Sequence, residues 1–159
     1  MNDPGDIVGS YVDFANRLHG FLPSKGDFTT IDFPGLHATV AGGINAQGQI
    51  VGNFGDASGK FHGFLLSAGN FTAIDFPGAF SVTSPFGINS NGEIVGFYDD
   101  SNGNLHGFTL MDGNFSTVDF PGGFNTQAVR VNEAGQIVGI YFSSGQHGFL
   151  ATPIPKQKN

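Results

Sequence analysis

Three short motifs recur at nearly one interval along the whole chain. Ile-Val-Gly begins at Ile7, Ile50, Ile94 and Ile137, and His-Gly-Phe at His19, His62, His106 and His147. Asp-Phe-Pro-Gly begins at Asp32, Asp75 and Asp119. The intervals are 43 or 44 residues, apart from a last His-Gly-Phe step of 41. Independent landmarks that keep one period require stacked copies of a single structural unit. The units run over about residues 1–43, 44–87, 88–130 and 131–155 of the 159, leaving 156–159 as a flexible tail.

Within one period the pattern is that of strands. Residues 41–45 form a short run of small residues that ends at the turn 45–48. Residues 49–54, 60–67 and 70–76 follow as three further strands, separated by the Gly-rich turns 55–59 and 68–69. Pro77 stops the last one, because proline cannot donate to a strand ladder. Four short antiparallel strands per period match a β-propeller blade, whose repeats are typically ~40–45 residues. Gly and Ala suit the crowded inner strand, and many of the 18 Phe fill the space between blades. The expectation is an all-β, propeller-like repeat fold of about four blades of four antiparallel strands. Its first and last blades are incomplete: the first has only a stub of inner strand, and the last has no strand after His147–Leu150. Uncovered edges of that kind favour pairing with another chain, so a homodimer or higher oligomer is expected.

Hairpin register brings chemistry together. Counting back from the two-residue turn 68–69 sets His62 across from Asp75, and the turn 112–113 sets His106 across from Asp119. The turn 25–26 does the same for His19 and Asp32. A catalytic dyad is needed once, whereas this pair recurs in each blade. A structural brace is therefore the stronger reading.

Residues 43–78, from Gly-Ile-Asn-Ala-Gln-Gly-Gln-Ile-Val-Gly to Asp-Phe-Pro-Gly, resemble the extracellular HAF-type repeat of bacterial secreted proteins. The resemblance covers nearly the whole chain. It implies export and a propeller-like fold, with no signal peptide expected before Asp3. It implies no particular activity.

Composition narrows the partners. Only six Lys and Arg against a net charge of −7 leave no groove that could track phosphates, so nucleic acid is not expected. No apolar run reaches the ~20 residues of a helical membrane span. The absence of Cys removes thiolate chemistry. No Gly-x-Ser-x-Gly elbow or nucleotide-binding glycine motif occurs. His37 is the one histidine outside the repeat, in a crossover between units, where it reads as a solvated loop residue or a lone acid/base.

An acidic chain with hard oxygen donors makes Ca²⁺ the cofactor to consider. One donor set is the turn at Asp99 and Asp100, with Asp56 in the equivalent turn. The other is the series Asn45, Asn89 and Asn132 at inner-strand ends, with Glu93 and Glu133 in the turns beside them. Asn-x-x-Gly is also ordinary turn chemistry, and that reading stands beside the metal one. An axial ring of this kind resembles calcium-dependent propeller lactonases. There the metal polarises a carbonyl and activates water, with no protein nucleophile.

Two functions follow. One is a small Ca²⁺-dependent hydrolase opening a lactone or ester, an acyl-homoserine lactone signal being one such substrate. The other is a non-catalytic extracellular binding module for a carbohydrate or cell-surface ligand.

Overall fold

The computed structural model describes residues 1–2, 5–24, 26–36 and 38–153. Lys25, His37 and the tail 156–159 lie outside the described residues. Among the described residues fourteen strands form four sheets, with every neighbouring pair antiparallel. The first sheet is β1 (Gly9–Val12), β2 (Leu18–Ser24) and β3 (Asp27–Ile31). The second is β4 (Thr39–Ile44), β5 (Ile50–Gly55), β6 (Phe61–Ser67) and β7 (Asn70–Ile74). The third is β8 (Thr83–Ile88), β9 (Ile94–Asp99), β10 (Leu105–Met111) and β11 (Asn114–Val118). The fourth is β12 (Phe124–Val131), β13 (Ile137–Phe142) and β14 (Gln146–Ala151). The chain is all-β and propeller-like, with three strands in its outer blades and four in the two between.

Turn chemistry sets the register. Ala68 and Gly69 both have positive φ, as do Asp112 and Gly113. Two consecutive left-handed residues give the hairpin turn whose twist matches that of its strands. Ser67 consequently faces Asn70, and Met111 faces Asn114.

Each inner strand is bulged, between Ala41 and Gly43 in β4 and between Pro85 and Gly87 in β8. The glycine of Ile-Val-Gly sits against this feature. A Cβ at Gly52 would collide with the carbonyl oxygen of Val40. The glycine of His-Gly-Phe meets both its own blade and the following one: a Cβ at Gly63 would lie 2.7 Å from the Ile74 carbonyl oxygen and 2.7 Å from the Pro85 ring. Both motifs are close-approach points, where only glycine fits without a shift.

Apolar side chains alternate between two faces of each blade. The leading face faces the preceding blade, and the trailing face the following one. Between the first two blades, Val8, Leu22 and Ile31 pack on Ile50, Phe54, Phe64 and Phe71. Between the second and third, Val51, Leu65 and Ile74 pack on Ile94, Tyr98, Phe108 and Phe115. Between the third and fourth, Val95 and Val118 pack on Ala128, Ile137 and Phe149.

The phenylalanine of Asp-Phe-Pro-Gly closes each joint. Phe33 lies 3.7 Å from Phe54, Phe76 lies 3.6 Å from Tyr98, and Phe120 lies 3.7 Å from Tyr141, all stacked between blades. A buried threonine fixes each plug by its backbone. The N–H groups of Phe33, Phe76 and Phe120 donate to the hydroxyls of Thr39, Thr83 and Thr126 at 3.0–3.1 Å. The bond ties each plug to the following inner strand, and β4 begins at this threonine, two residues before the run of small residues at 41–45.

Candidate functional site

The three histidines of the first three blades share one environment. Nδ1 lies 2.9 Å from Asp32 for His19, 2.8 Å from Asp75 for His62 and 2.8 Å from Asp119 for His106. The other ring nitrogen, Nε2, faces a second aspartate from the turn before the strand. The partners are Asp13 at 3.3 Å, Asp56 at 3.3 Å and Asp100 at 3.5 Å. Each ring also stacks on the strand aromatic beside it, Tyr11, Phe54 or Tyr98.

Two carboxylates per imidazole favour the protonated ring. Hydrogen bonds donated to Asp32 and then to Asp13 raise the His19 pKa. For His62 partial burial acts downward, but Asp75 and Asp56 outweigh it and the pKa rises. Asp119 leads the same upward shift at His106, against partial burial. An imidazolium held at both nitrogens has no lone pair with which to take a proton from a substrate. His147 carries no such clamp among the described residues and stacks on Tyr141.

The turn aspartates belong to local loops. Asp56 accepts from the hydroxyl and N–H of Ser58 and the N–H of Lys60, which hold its carboxyl well below the usual range. Asp100 is held low in the same way by the side-chain amide of Asn104 and its N–H.

Asp99 has a different task. It is buried and accepts from the Ser81 N–H, the Ser81 hydroxyl and the Val82 N–H at 2.5–2.7 Å. Burial pushes its pKa up, and these bonds more than offset it, so the carboxyl stays low. Asp99 thereby anchors the crossover 79–82, which is one residue longer than its counterparts at 36–38 and 123–125.

The asparagines at the inner-strand ends form a ladder between blades. The Oδ1 of Asn45 accepts the N–H groups of Gln47 and Gln49, closing its own turn. Its Nδ2 donates to the carbonyl of Asn89 at 3.1 Å. Asn2 donates likewise to the Asn45 carbonyl, and Asn89 to the Asn132 carbonyl, each at 3.0 Å. Glu93 accepts from Asn89, and Glu133 accepts the Ser90 N–H and hydroxyl across the joint. The axial depression of about 170 Å³ is lined by Asn2, Asn45, Arg130 and Glu133 among others. Arg130 is tied down there, donating to the carbonyls of Phe86 and Val129.

The Asn and acid oxygens considered for Ca²⁺ are thus engaged by N–H and O–H donors. Among the described residues no group of three or more His, Cys, Asp or Glu is placed to hold a metal ion. In this arrangement the candidate oxygens serve their own turns and the neighbouring blade.

A groove of about 100 Å³ between the second and third blades combines apolar and polar surface. Its lining includes Lys60, Phe61, His62, Asp75, Phe80 and Ser81. Phe80 is 59% exposed and Phe61 41%. Asp75 gives one oxygen to His62 while its side chain remains 54% exposed. The Phe61 N–H donates to the Ser81 carbonyl at 2.8 Å, so strand β6 and the anchored crossover are joined across the groove floor.

The sequence reading missed the buried Thr series, although Thr39, Thr83 and Thr126 keep the repeat interval. It also missed Phe61, which is not repeated, and Phe80, which recurs once, at Phe124. Position 61 is Leu18, Leu105 and Gln146 in the other blades.

No family model matches the chain, and no curated protein matches it. Among solved structures the chain is similar to a fucose lectin from Kordia zhangzhouensis in complex with methyl-fucoside. The identity is 12% and the TM-score 0.44, over 72% of this chain and 99% of that one.

Proposed function

We propose that this chain is a non-catalytic, exported binding module for a carbohydrate, with the groove between the second and third blades as its binding surface. The observation that carries the reading is a single groove lined by two exposed aromatic residues, Phe61 and Phe80, together with Lys60 and Asp75, whose side chain is 54% exposed. A pyranose has an apolar C–H face and a rim of hydroxyls. Aromatic carbon covers the first, and a carboxylate with a neighbouring ammonium accepts from and donates to the second. The groove is shallow, so it takes one face of a sugar ring without enclosing it. The buried Asp99 holds the Phe80 crossover in place before any ligand arrives, which limits the ordering cost of binding.

The hydrolase reading finds less support. The clamped histidines lack a free basic nitrogen, and the candidate calcium oxygens are committed to local donors. Titrating methyl glycosides of neutral hexoses and 6-deoxyhexoses, followed by ligand-detected NMR, tests the proposal. A glycoside should bind with a Kd of roughly millimolar order, as suits a small open site. Phe80→Ala and Asp75→Asn should each weaken it about tenfold. Binding that ignores both substitutions, or lactone opening that requires Ca²⁺, overturns it.

A further inference from the structure

The two ends of the blade array carry the two unmatched halves of the interface that joins the blades inside it. The leading isoleucine of Ile-Val-Gly is 3% exposed at Ile50, 3% at Ile94 and 6% at Ile137, but 46% at Ile7. The trailing valine is 0% exposed at Val51 and Val95, but 46% at Val138. Phe28 and Leu150 repeat the contrast on the same two faces. The Tyr11, Phe21 and Phe28 rings of that face pack on one another.

The polar ladder stops at the same two places. Each internal rung is an Asn amide donating to the carbonyl of the corresponding Asn one blade on. Among the described residues, Asn132 Nδ2 donates within its own turn to Gln136 and to no further blade. The Asn2 carbonyl accepts from the Gly5 N–H, as the Asn45 carbonyl does from Gly48, but receives no rung.

We infer that a second copy of this chain docks head-to-tail, setting the Val138–Leu150 face of one copy on the Ile7–Tyr11–Phe28 face of the other. The next rung runs from Asn132 of one copy to the carbonyl of Asn2 in the other. The occupant is argued from the molecule itself: the same positions are joined three times within the chain. An end-to-end contact is heterologous, so it closes as a ring or continues as a chain. The fourth blade has no fourth strand among the described residues and brings no Phe plug. The contact is therefore smaller than the internal joints, and the assembly depends on concentration.

Light scattering across a dilution series tests this on the intact chain. Particles of at least twice 16.6 kDa should appear at high concentration and dissociate on dilution. Ile7→Asp and Val138→Asp, both on exposed positions that leave the internal joints alone, should each lower the mass. Mixed in equal amounts, the two variants should recover a heterodimer through the one pair of intact faces they share. A wild-type chain that stays at 16.6 kDa throughout overturns the inference. So do variants that still associate alone, or a mixture that fails to complement. Circular dichroism of each variant excludes misfolding as the cause of a low mass.

Discussion

Phe76 and Tyr98 lie face to face with ring centres 3.6 Å apart and planes within 5°, although they belong to different blades. The Phe76 N–H is held by Thr83 at 3.0 Å, so ring and backbone are fixed together. Phe76→Ala removes the ring and leaves Tyr98, Phe108 and Phe115 facing a hole. The expected loss is about 3 kcal/mol, read from urea unfolding, because large-to-small changes at packed aromatic sites cost ~3–5 kcal/mol and this ring is only partly buried. A loss below ~1 kcal/mol would show that the stack is decorative.

Asn89 is buried and serves three partners at once. Its oxygen accepts from the N–H groups of Asn91 and Glu93, and its amide donates to Asn132. Asn89→Ala should cost about 1–2 kcal/mol, because it removes these bonds at a buried position while its partners can turn to water. Amide hydrogen exchange should speed up at Asn91 and Glu93, the two donors released.

The histidine clamps give stability a defined pH window. His19, His62 and His106 have raised pKa values in the folded chain, so their stabilisation is complete below the ordinary value of 6.5. It is lost as pH rises through the raised folded values. Asp56 and Asp100 are held low, so their stabilisation is present above 3.8 and is lost as pH falls through the depressed values. The Tm should therefore be highest between about pH 4 and 6.5 and fall on the alkaline side. Replacing His62 and His106 together by Gln should flatten the alkaline limb and spare most of the acid one.

Ala68 occupies the left-handed region at φ 48°, a conformation that alanine adopts at a cost. Asn tolerates it better, since its short polar side chain finds local hydrogen bonds. Ala68→Asn should stabilise the chain by about 0.5 kcal/mol in thermal unfolding. The neighbouring turn supplies the control: Asp112→Ala should move the other way.

The repeat made the blades legible because it recorded geometry directly. His-Gly-Phe and Ile-Val-Gly mark places where a Cβ would strike another strand, and such places cannot drift in composition. The two-residue turns 68–69 and 112–113 fixed the register that sets His62 and His106 beside their aspartates. The second aspartate of each clamp was harder to read. Asp56 and Asp100 lie in turns whose fold brings the carboxylate back over the strand. The groove was illegible for the opposite reason. Phe61 and Asp99 depart from the repeat, Phe80 recurs only at Phe124, and one sequence gives no measure of which departures have purpose. Thr39, Thr83 and Thr126 keep the interval, but their differing neighbours form no motif around them.

The plug arrangement has a kinetic consequence. Each Phe of Asp-Phe-Pro-Gly is bonded to a threonine only six or seven residues later, yet stacks on an aromatic about twenty residues further along the chain. Every joint is thus formed from neighbouring stretches of sequence, and the internal packing described needs no contact between the first and last blades. Sequence separation in the contacts described stays within about one repeat however many repeats are added. Chain closure entropy then does not grow with length, and ordering can begin at any joint and spread in both directions. A chain built this way can gain or lose a whole period during evolution without relearning how to fold.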